Sequence, residues 1–93
     1  MSYRVDLDDE AKSDIRRLPG YVRAQVLQTL HQLADNPRPA RAKELRDKPT
    51  IYRIWVAGRW RIAYQVRDDL QVVRVLRVRL KEDIDYDSLE TSE

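Results

Sequence analysis

The sequence predicts an α+β fold: an N-terminal strand, a helical hairpin and a three-strand antiparallel meander, which together give a mostly antiparallel twisted sheet packed on two helices. Apolar residues recur at helical spacing between residues 7 and 33, whereas they alternate with polar residues over 52–66 and again over 70–80. The Pro-Gly pair at 19–20 divides the helical pattern into two helices, and the Asn-Pro pair at 36–37 ends it.

Length and composition limit what the protein can be. Ninety-three residues suffice for one domain with a modest core, so residues 1–93 are predicted to form a single domain. Charged residues make up 37% of the sequence, against about 25% in an average domain. The lack of cysteine excludes disulfides and thiolate chemistry, and a single histidine excludes a histidine-rich metal site. Without a secretion signal or a spanning apolar run, a cytoplasmic protein with no membrane partner is expected.

Charge is distributed unevenly along the chain. Residues 1–37 carry five Lys/Arg and six Asp/Glu, residues 38–81 carry thirteen and four, and residues 82–93 carry none and six. The middle segment therefore has a net charge of +9, and it also contains the predicted meander. A cationic surface of this kind is typical of proteins that bind polyanions, although a solvated charged face has the same composition.

The N-terminal third predicts a strand and two helices. "SYRVDL" alternates apolar and charged residues, and Asp8 follows it as an N-cap with acids in the first helical turn. The first apolar stripe is Leu7, Ala11, Ile15 and Leu18. The second helix begins near Tyr21, and its stripe is Val22, Val26, Leu30 and Leu33. Because both stripes must be buried, the helices are expected to pack on the sheet.

"YRIWVAGRWRIAYQV", residues 52–66, predicts a β-hairpin whose even-numbered residues are mostly apolar. Cross-strand neighbours share a face, so a two-residue loop that pairs Val56 with Arg59 is excluded. A three-residue loop instead pairs Val56 with Trp60, Ile54 with Ile62 and Tyr52 with Tyr64, with Gly58 supplying an unusual backbone conformation near the turn.

The same register collects polar side chains on the other face of the hairpin. Trp55 lies opposite Arg61, and Arg53 lies opposite the small Ala63. Two guanidinium groups and an indole are therefore expected within a few residues of one another.

A third long strand, "LQVVRVLRVRL", has apolar residues on both sides and is predicted to be interior. Strict alternation puts Val73, Val75, Arg77 and Arg79 on one side, so that the later arginines emerge onto the basic face. Residues 36–49 are predicted to be a linker anchored by Leu45. The acidic tail, about 82–93, either folds across the cationic segment and masks it or is disordered.

Several of these segments resemble one known family. "EAKSDIRRLP", "NP", "KELR", "YRIWVAGRWRIAYQV" and "VVRVLRV" are similar to the RelE/ParE superfamily of type II toxin–antitoxin toxins, over roughly residues 3–86. The resemblance implies the fold described above and a cognate antitoxin that wraps and neutralises the toxin. RelE-like members enter the ribosomal A site and cleave mRNA, whereas ParE-like members poison DNA gyrase.

In RelE-like members, activity rests on basic residues of the sheet and a tyrosine near the C-terminus. The matching residues here are Arg53, Arg61, Lys81 and Tyr86. Arg61, with Arg53 beside it, would stabilise the charged phosphorane, because the planar guanidinium matches phosphate oxygens. Lys81 would stabilise or protonate the departing oxygen, and Tyr86 would share proton transfer or stack on a base. No metal or cofactor is required.

This sequence departs from the RelE-like pattern at two places. Trp55 stands where these toxins commonly have a second Lys or Arg, and in "RLKEDIDY" Lys81 takes the place of an expected arginine. Both departures favour the alternatives, namely a gyrase inhibitor without nuclease activity or a relative that only binds its antitoxin or RNA.

Further residues are predicted to bind RNA. On the linker, phosphate contacts are assigned to Arg38, Arg41, Lys43, Arg46 and Lys48. On the meander, the assigned residues are Trp55, by stacking, and Arg59, Arg77 and Arg79. The linker cations have the alternative of a solvated loop that binds nothing, and Trp55 that of a ring covered by the antitoxin or the tail. For Arg53 and Arg61 the alternative is that they are strand arginines paired with acids of the tail.

Overall fold

The structure, a computed structural model, describes residues 2–86 and residue 89. Along the chain these residues form β1 (Arg4–Leu7), α1 (Asp9–Arg16), α2 (Gly20–Asp35), β2 (Lys43–Leu45), β3 (Lys48–Val56), β4 (Trp60–Arg67) and β5 (Val72–Leu80), followed by a 3-10 turn at Lys81–Asp83. Within this part of the chain, neither helix has the length and apolar character needed to cross a bilayer.

The strands form one five-stranded sheet in the order β1-β5-β4-β3-β2. β1 runs parallel to β5 and the other neighbours are antiparallel, which confirms the predicted α+β class and the meander. β5 is an interior strand, as its apolar residues on both sides predicted. The prediction that residues 36–49 are a linker was wrong at Lys43–Leu45, which pairs with β3, and at Lys48 and Pro49, which begin β3. Three residues are too few for alternation to show in a sequence.

The register of the β3–β4 hairpin is as predicted. The predicted pairs are all present: Val56 with Trp60, Trp55 with Arg61, Ile54 with Ile62, Arg53 with Ala63 and Tyr52 with Tyr64. Ala57 and Gly58 have φ angles of 52° and 81°. The chain therefore reverses through left-handed backbone, which glycine adopts without steric cost.

A β-bulge divides β5. The pairing with β4 skips Leu76, which is the extra residue. Val73 and Val75 belong to the core cluster before the bulge, whereas Val78 belongs to it after the bulge. The prediction of strict alternation through β5 was therefore wrong. Arg77 still shares a face with the hairpin arginines, because the bulge reverses the orientation of the residues that follow it.

The core lies between the two helices and one face of the sheet. Both predicted stripes are part of it: Leu7, Ala11, Ile15, Leu18, Val22, Val26, Leu30 and Leu33. They pack with apolar residues of β3, β4 and β5. Tyr64 is fully buried there; its hydroxyl donates to the Pro37 carbonyl at 2.8 Å, and burial raises the pKa of the phenol.

Candidate functional site

The cationic residues of the meander lie on the sheet face that points away from the helices, called the outer face below. Cross-strand pairing arranges them in two neighbouring rows. One row is Lys43, Arg53, Ala63 and Arg77, and the other is Trp55, Arg61 and Arg79. Adjacent same-face positions on one strand are about 7 Å apart, so one ligand can contact both rows.

Arg61 is the centre of this arrangement and is only 7% exposed. Its guanidinium carbon lies 4.1 Å from the centre of the Trp55 ring, and its Nη1 donates to the Tyr86 hydroxyl oxygen at 3.2 Å. The buried Nε–H has no acceptor among the described residues. A buried donor without an acceptor costs about 1–3 kcal/mol, so such a group calls for an explanation such as a ligand that supplies the acceptor.

Arg53 and Lys81 flank Arg61. Arg53 is half-buried on β3, directly opposite Lys43 of β2. Lys81 is exposed, and its backbone N–H donates to the Arg59 carbonyl at 3.2 Å, which holds it beside the hairpin turn. Within residues 2–86 and 89, no carboxylate forms an ion pair with Arg53, Arg61 or Lys81. The positive charge of these three residues is therefore not neutralised by a described neighbour.

Arg74 and Arg77 of β5 are paired with acids of α1 and of its N-cap position. Arg74 makes a two-point contact with Asp8 at 2.6 and 2.9 Å. Asp8 holds the predicted N-cap position but makes no capping hydrogen bond. Arg77 contacts Glu10 and both oxygens of Asp14, the latter at 2.9 and 3.1 Å. The hydrogen bond to Asp14 raises the pKa of the Arg77 guanidinium.

These contacts bear on the predicted RNA-binding role of Arg77 and Arg79. Arg79 donates to the Asp83 carbonyl at 3.3 Å, and its Nε lies 4.0 Å from Asp14. Arg77 is therefore ion-paired with Glu10 and Asp14 of α1, and both guanidiniums already have partners within the fold. The alternative of pairing with acids of the tail concerned Arg53 and Arg61, and no described acid forms an ion pair with either.

Asp14 was not singled out by the sequence, yet it fixes α1 against the sheet. Its side chain is only 4% exposed, and besides Arg77 it accepts the backbone N–H of Val78 at 3.0 Å. β1 ends at Leu7, opposite Val75, so β1 does not continue beside Val78. The carboxylate of Asp14 takes the place of that missing strand neighbour.

Arg38, which was predicted to bind RNA phosphates, takes part in a network of hydrogen bonds within the chain. It donates to the Tyr52 hydroxyl at 2.9 Å and to both oxygens of Asp68 at 3.0 and 2.7 Å. The Tyr3 hydroxyl donates to the same carboxylate at 2.6 Å. These hydrogen bonds, from Arg38 first and Tyr3 second, lower the pKa of the Asp68 carboxyl. Arg38 therefore ties the linker to the β4–β5 turn.

The other linker cations differ in their contacts. Arg41 donates to the Trp55 carbonyl and to the Gln32 amide oxygen, both at 3.2 Å. Three others have no side-chain hydrogen bond or ion pair within the described chain: Lys43, Arg46 and Lys48. Lys43 extends the cationic outer face onto β2, and Arg46 and Lys48 lie in the connection that follows and at the start of β3.

The C-terminal segment folds back toward the hairpin. The Glu82 carboxylate lies 3.6 Å from Arg59, and Tyr86 reaches Arg61 as described above. The role of Tyr86 in cleavage, which the family resemblance implies, stays a prediction. Apart from residue 89, the rest of the predicted masking tail, 87–93, lies outside the described residues, so masking stays a prediction.

Comparison with known proteins decides the family. The sequence model of a protein family described as the ParE toxin of the type II toxin–antitoxin system, parDE, matches residues 5–84. The mRNA interferase toxin RelE of Escherichia coli (strain K12) is 35% identical over 83 residues, which cover 88% of this chain and 86% of the relative. The chain belongs to the RelE/ParE superfamily of type II toxin–antitoxin toxins.

Solved structures of relatives agree with this assignment. The isolated E. coli RelE toxin in its P21 form matches with a TM-score of 0.78 and 32% identity, covering 94% of this chain and 93% of that one. The toxin in the intact E. coli RelBE toxin–antitoxin complex matches with a TM-score of 0.76 and 34% identity, covering 85% and 96%. The protein is therefore a RelE-like toxin, and the superfamily resemblance is confirmed.

The site of this toxin supports chemistry on a phosphate. On the outer face it offers two guanidiniums without an ion-paired acid, one phenol hydroxyl and one aromatic ring, and the exposed Lys81 follows directly after β5. In the described part of the chain, no group of three or more His, Cys, Asp or Glu side chains is placed to hold a metal ion.

Proposed function

We propose that this toxin is a metal-independent endoribonuclease that cleaves mRNA on the ribosome and thereby inhibits translation. The observation that carries the proposal is the state of Arg61: a guanidinium held by Trp55 and Tyr86, without an ion-paired carboxylate, whose buried Nε–H has no described acceptor. Fixed positive charge aimed at a developing anion usually accelerates a reaction more than any other single effect in an active site. The activity in the name of its E. coli relative, mRNA interferase, supports the same function.

Cleavage without a metal uses the 2′-hydroxyl of one nucleotide as the nucleophile. It attacks the adjacent phosphorus, the bond to the 5′-oxygen breaks, and the products are a 2′,3′-cyclic phosphate and a free 5′-hydroxyl. Arg61 and Arg53 stabilise the negative charge on the non-bridging oxygens. Lys81 protonates the departing 5′-oxygen. The Tyr86 hydroxyl accepts the proton of the attacking hydroxyl while passing its own proton to water, and Lys81 regains a proton from water, so the protons balance.

The ribosome is proposed as the partner that completes this site. In the proposed site, proton transfer falls on Lys81 and Tyr86 without a histidine–carboxylate pair among the described residues, so the isolated toxin would be a slow catalyst. Three cations without a described partner, Lys43, Arg46 and Lys48, are available to hold ribosomal RNA through its phosphates. Such a toxin works in the cytoplasm, where translation takes place.

A cognate antitoxin is proposed as the second partner. The E. coli relative has been solved as an intact RelBE toxin–antitoxin complex, and the match covers 85% of this chain. An antitoxin that covers the outer face would neutralise the toxin by denying RNA access to Arg61.

Inhibition of DNA gyrase is the second candidate function. The family model that matches residues 5–84 is named for the ParE toxin, and Trp55 stands where RelE-like toxins commonly have a Lys or Arg. The outer face then serves as a binding surface without cleavage.

Primer extension on a message translated in the presence of the toxin separates the two functions. We expect new 5′ ends within the translated region, which appear only when ribosomes are present. Stabilised gyrase–DNA cleavage complexes without new 5′ ends would instead establish the ParE-like function.

A further inference from the structure

We infer that Trp55 is a positioning and specificity-determining residue of this site: part of its indole ring holds Arg61 in place, and the exposed part stacks on a base of the bound message. The inference rests on the proposed cleavage of RNA. In this inference Trp55 takes no part in breaking the phosphodiester bond. It fixes the orientation of the Arg61 guanidinium and selects the base that stacks on its ring.

The positioning role follows from the hairpin register. Trp55 and Arg61 lie directly opposite each other on β3 and β4, and the guanidinium carbon is 4.1 Å from the ring centre. At that distance the cation lies against the aromatic face. The other contact of this guanidinium within the described residues is one hydrogen bond to Tyr86 at 3.2 Å. Without the indole, Arg61 would depend on a single bond to the C-terminal segment.

The stacking role follows from exposure and charge. Four large apolar side chains of the described chain are strongly exposed: Tyr21, Leu27, Trp55 and Leu70. Trp55, at 41%, is the one that lies in the cationic rows of the outer face. An aromatic ring beside positive charge is the combination that binds single-stranded RNA, because bases stack on the ring while cations hold the phosphates.

The hairpin also contains a matched control. Trp60 is five residues away on the opposite face, where it packs against the core cluster and pairs with Val56. These are the two tryptophans of the chain. In a Trp60→Phe protein, Trp55 is therefore the only source of tryptophan fluorescence.

Binding is tested by adding a short 2′-O-methyl RNA, which cannot be cleaved, to Trp60→Phe protein. We expect the fluorescence of Trp55 to be quenched in a saturable manner, because a base stacks on the indole. A Trp55→Phe protein, which retains Trp60, should show little quenching by the same RNA. Binding to Trp60→Phe protein without quenching would overturn the stacking role.

Positioning and specificity are tested with the full toxin on programmed ribosomes. For Trp55→Leu we expect KM to rise at least about fivefold from lost stacking. We also expect kcat to fall about tenfold, because Arg61 is less well held. The set of cleaved positions in the message should change as well. Trp55→Phe should recover most of each loss, because it retains an aromatic face.

The outcomes distinguish this inference from the proposed function. If Trp60→Phe toxin cleaves no message but its fluorescence is still quenched by RNA, the cleavage proposal fails and the stacking role stands. If folded Trp55→Leu toxin cleaves at the wild-type rate and positions, the inference is wrong. It is also wrong if Trp55→Leu affects antitoxin binding alone, because the ring then serves the protein partner and not RNA.

Discussion

The outer face of the sheet contains two kinds of arginine. The hairpin arginines, Arg53 and Arg61, have no ion-paired carboxylate within the described chain, whereas the β5 arginines, Arg74 and Arg77, are bound by acids of the segment that begins α1. The sequence context is the same, since each arginine alternates with apolar strand residues. The difference comes from the neighbouring elements. β5 lies beside α1, which carries Glu10 and Asp14, whereas β3 and β4 lie farther from α1 in the sheet, and Arg53 has Lys43 of β2 opposite it.

This difference separates stability from activity. An ion pair neutralises the charge of an arginine and uses its donors, so the β5 arginines hold α1 to the sheet. An arginine without such a partner can bind an anionic ligand with its charge and donors, but its burial lowers the free energy of unfolding. Changes at β5 should therefore affect the free energy of unfolding, and changes on the hairpin should affect cleavage.

The largest effect is expected from Asp14→Ala. The variant leaves Arg77 without its buried partner and the Val78 N–H without an acceptor, so the free energy of unfolding should fall by at least about 3 kcal/mol. Urea unfolding followed by circular dichroism measures the change. Asp47→Ala removes an exposed acid that has no described contact, and it serves as the control.

The cleavage rate of Asp14→Ala, normalised to folded protein, should match that of the wild type. A large loss of rate in the folded fraction would show that the β5 pairs belong to the catalytic site.

Arg61→Leu is expected to have the next largest effect, and on activity alone. Removing one fixed donor to a developing anion should lower cleavage by about 100- to 1,000-fold. Stability should be unchanged or higher, because the substitution removes a buried Nε–H without an acceptor. Cleavage is followed by primer extension and stability by urea unfolding. Full toxicity of a folded Arg61→Leu protein would contradict the site assignment.

Salt dependence of RNA binding compares the two kinds of arginine directly. Arg53→Ala should reduce the slope of log Kd against log salt concentration by about 0.7, the contribution of one phosphate contact on a single strand. Arg77→Ala should leave the slope unchanged, since Asp14 and Glu10 already balance that charge. Equal changes of slope for the two variants would remove the distinction between them.

The smallest effect is expected at the exposed Arg38–Asp68 pair. The lowered pKa of Asp68 means that the pair stabilises the fold above the ordinary aspartate range, and that this contribution is lost as pH falls through the lowered value. Asp68→Asn should therefore be slightly less stable than the wild type at neutral pH. The difference between their urea midpoints should disappear in strong acid. A difference that stays constant with pH would contradict the electrostatic origin.

Much of the fold could be predicted because its determinants are local. The spacing of apolar residues identified both helices, and the rule that cross-strand neighbours share a face gave the register from Val56–Trp60 to Tyr52–Tyr64. The bulge at Leu76 could not be predicted, because it depends on how β5 meets β4 and leaves no trace in composition. β2 was missed because it is only three residues long.

The position of Trp55 opposite Arg61 could be predicted from the hairpin register, whereas the pairing of the other arginines could not. The contact of Arg61 with Tyr86 depends on how the C-terminal segment folds back, which no local pattern indicates. The partners of Arg77 lie more than 60 positions away along the chain, and no local pattern connects them. The sequence therefore indicated which arginines share a face, but not which of them form ion pairs with carboxylates of the same chain.

The hydrogen bond from the Val78 N–H to the Asp14 carboxylate also protects the open side of β5 from other chains. β5 continues past the end of β1, and a strand whose amide groups are left open on one side readily adds a strand from another molecule. A buried side chain that occupies this position blocks such growth without adding another strand. Substitution of Asp14 should therefore cause the protein to aggregate through this open edge of β5.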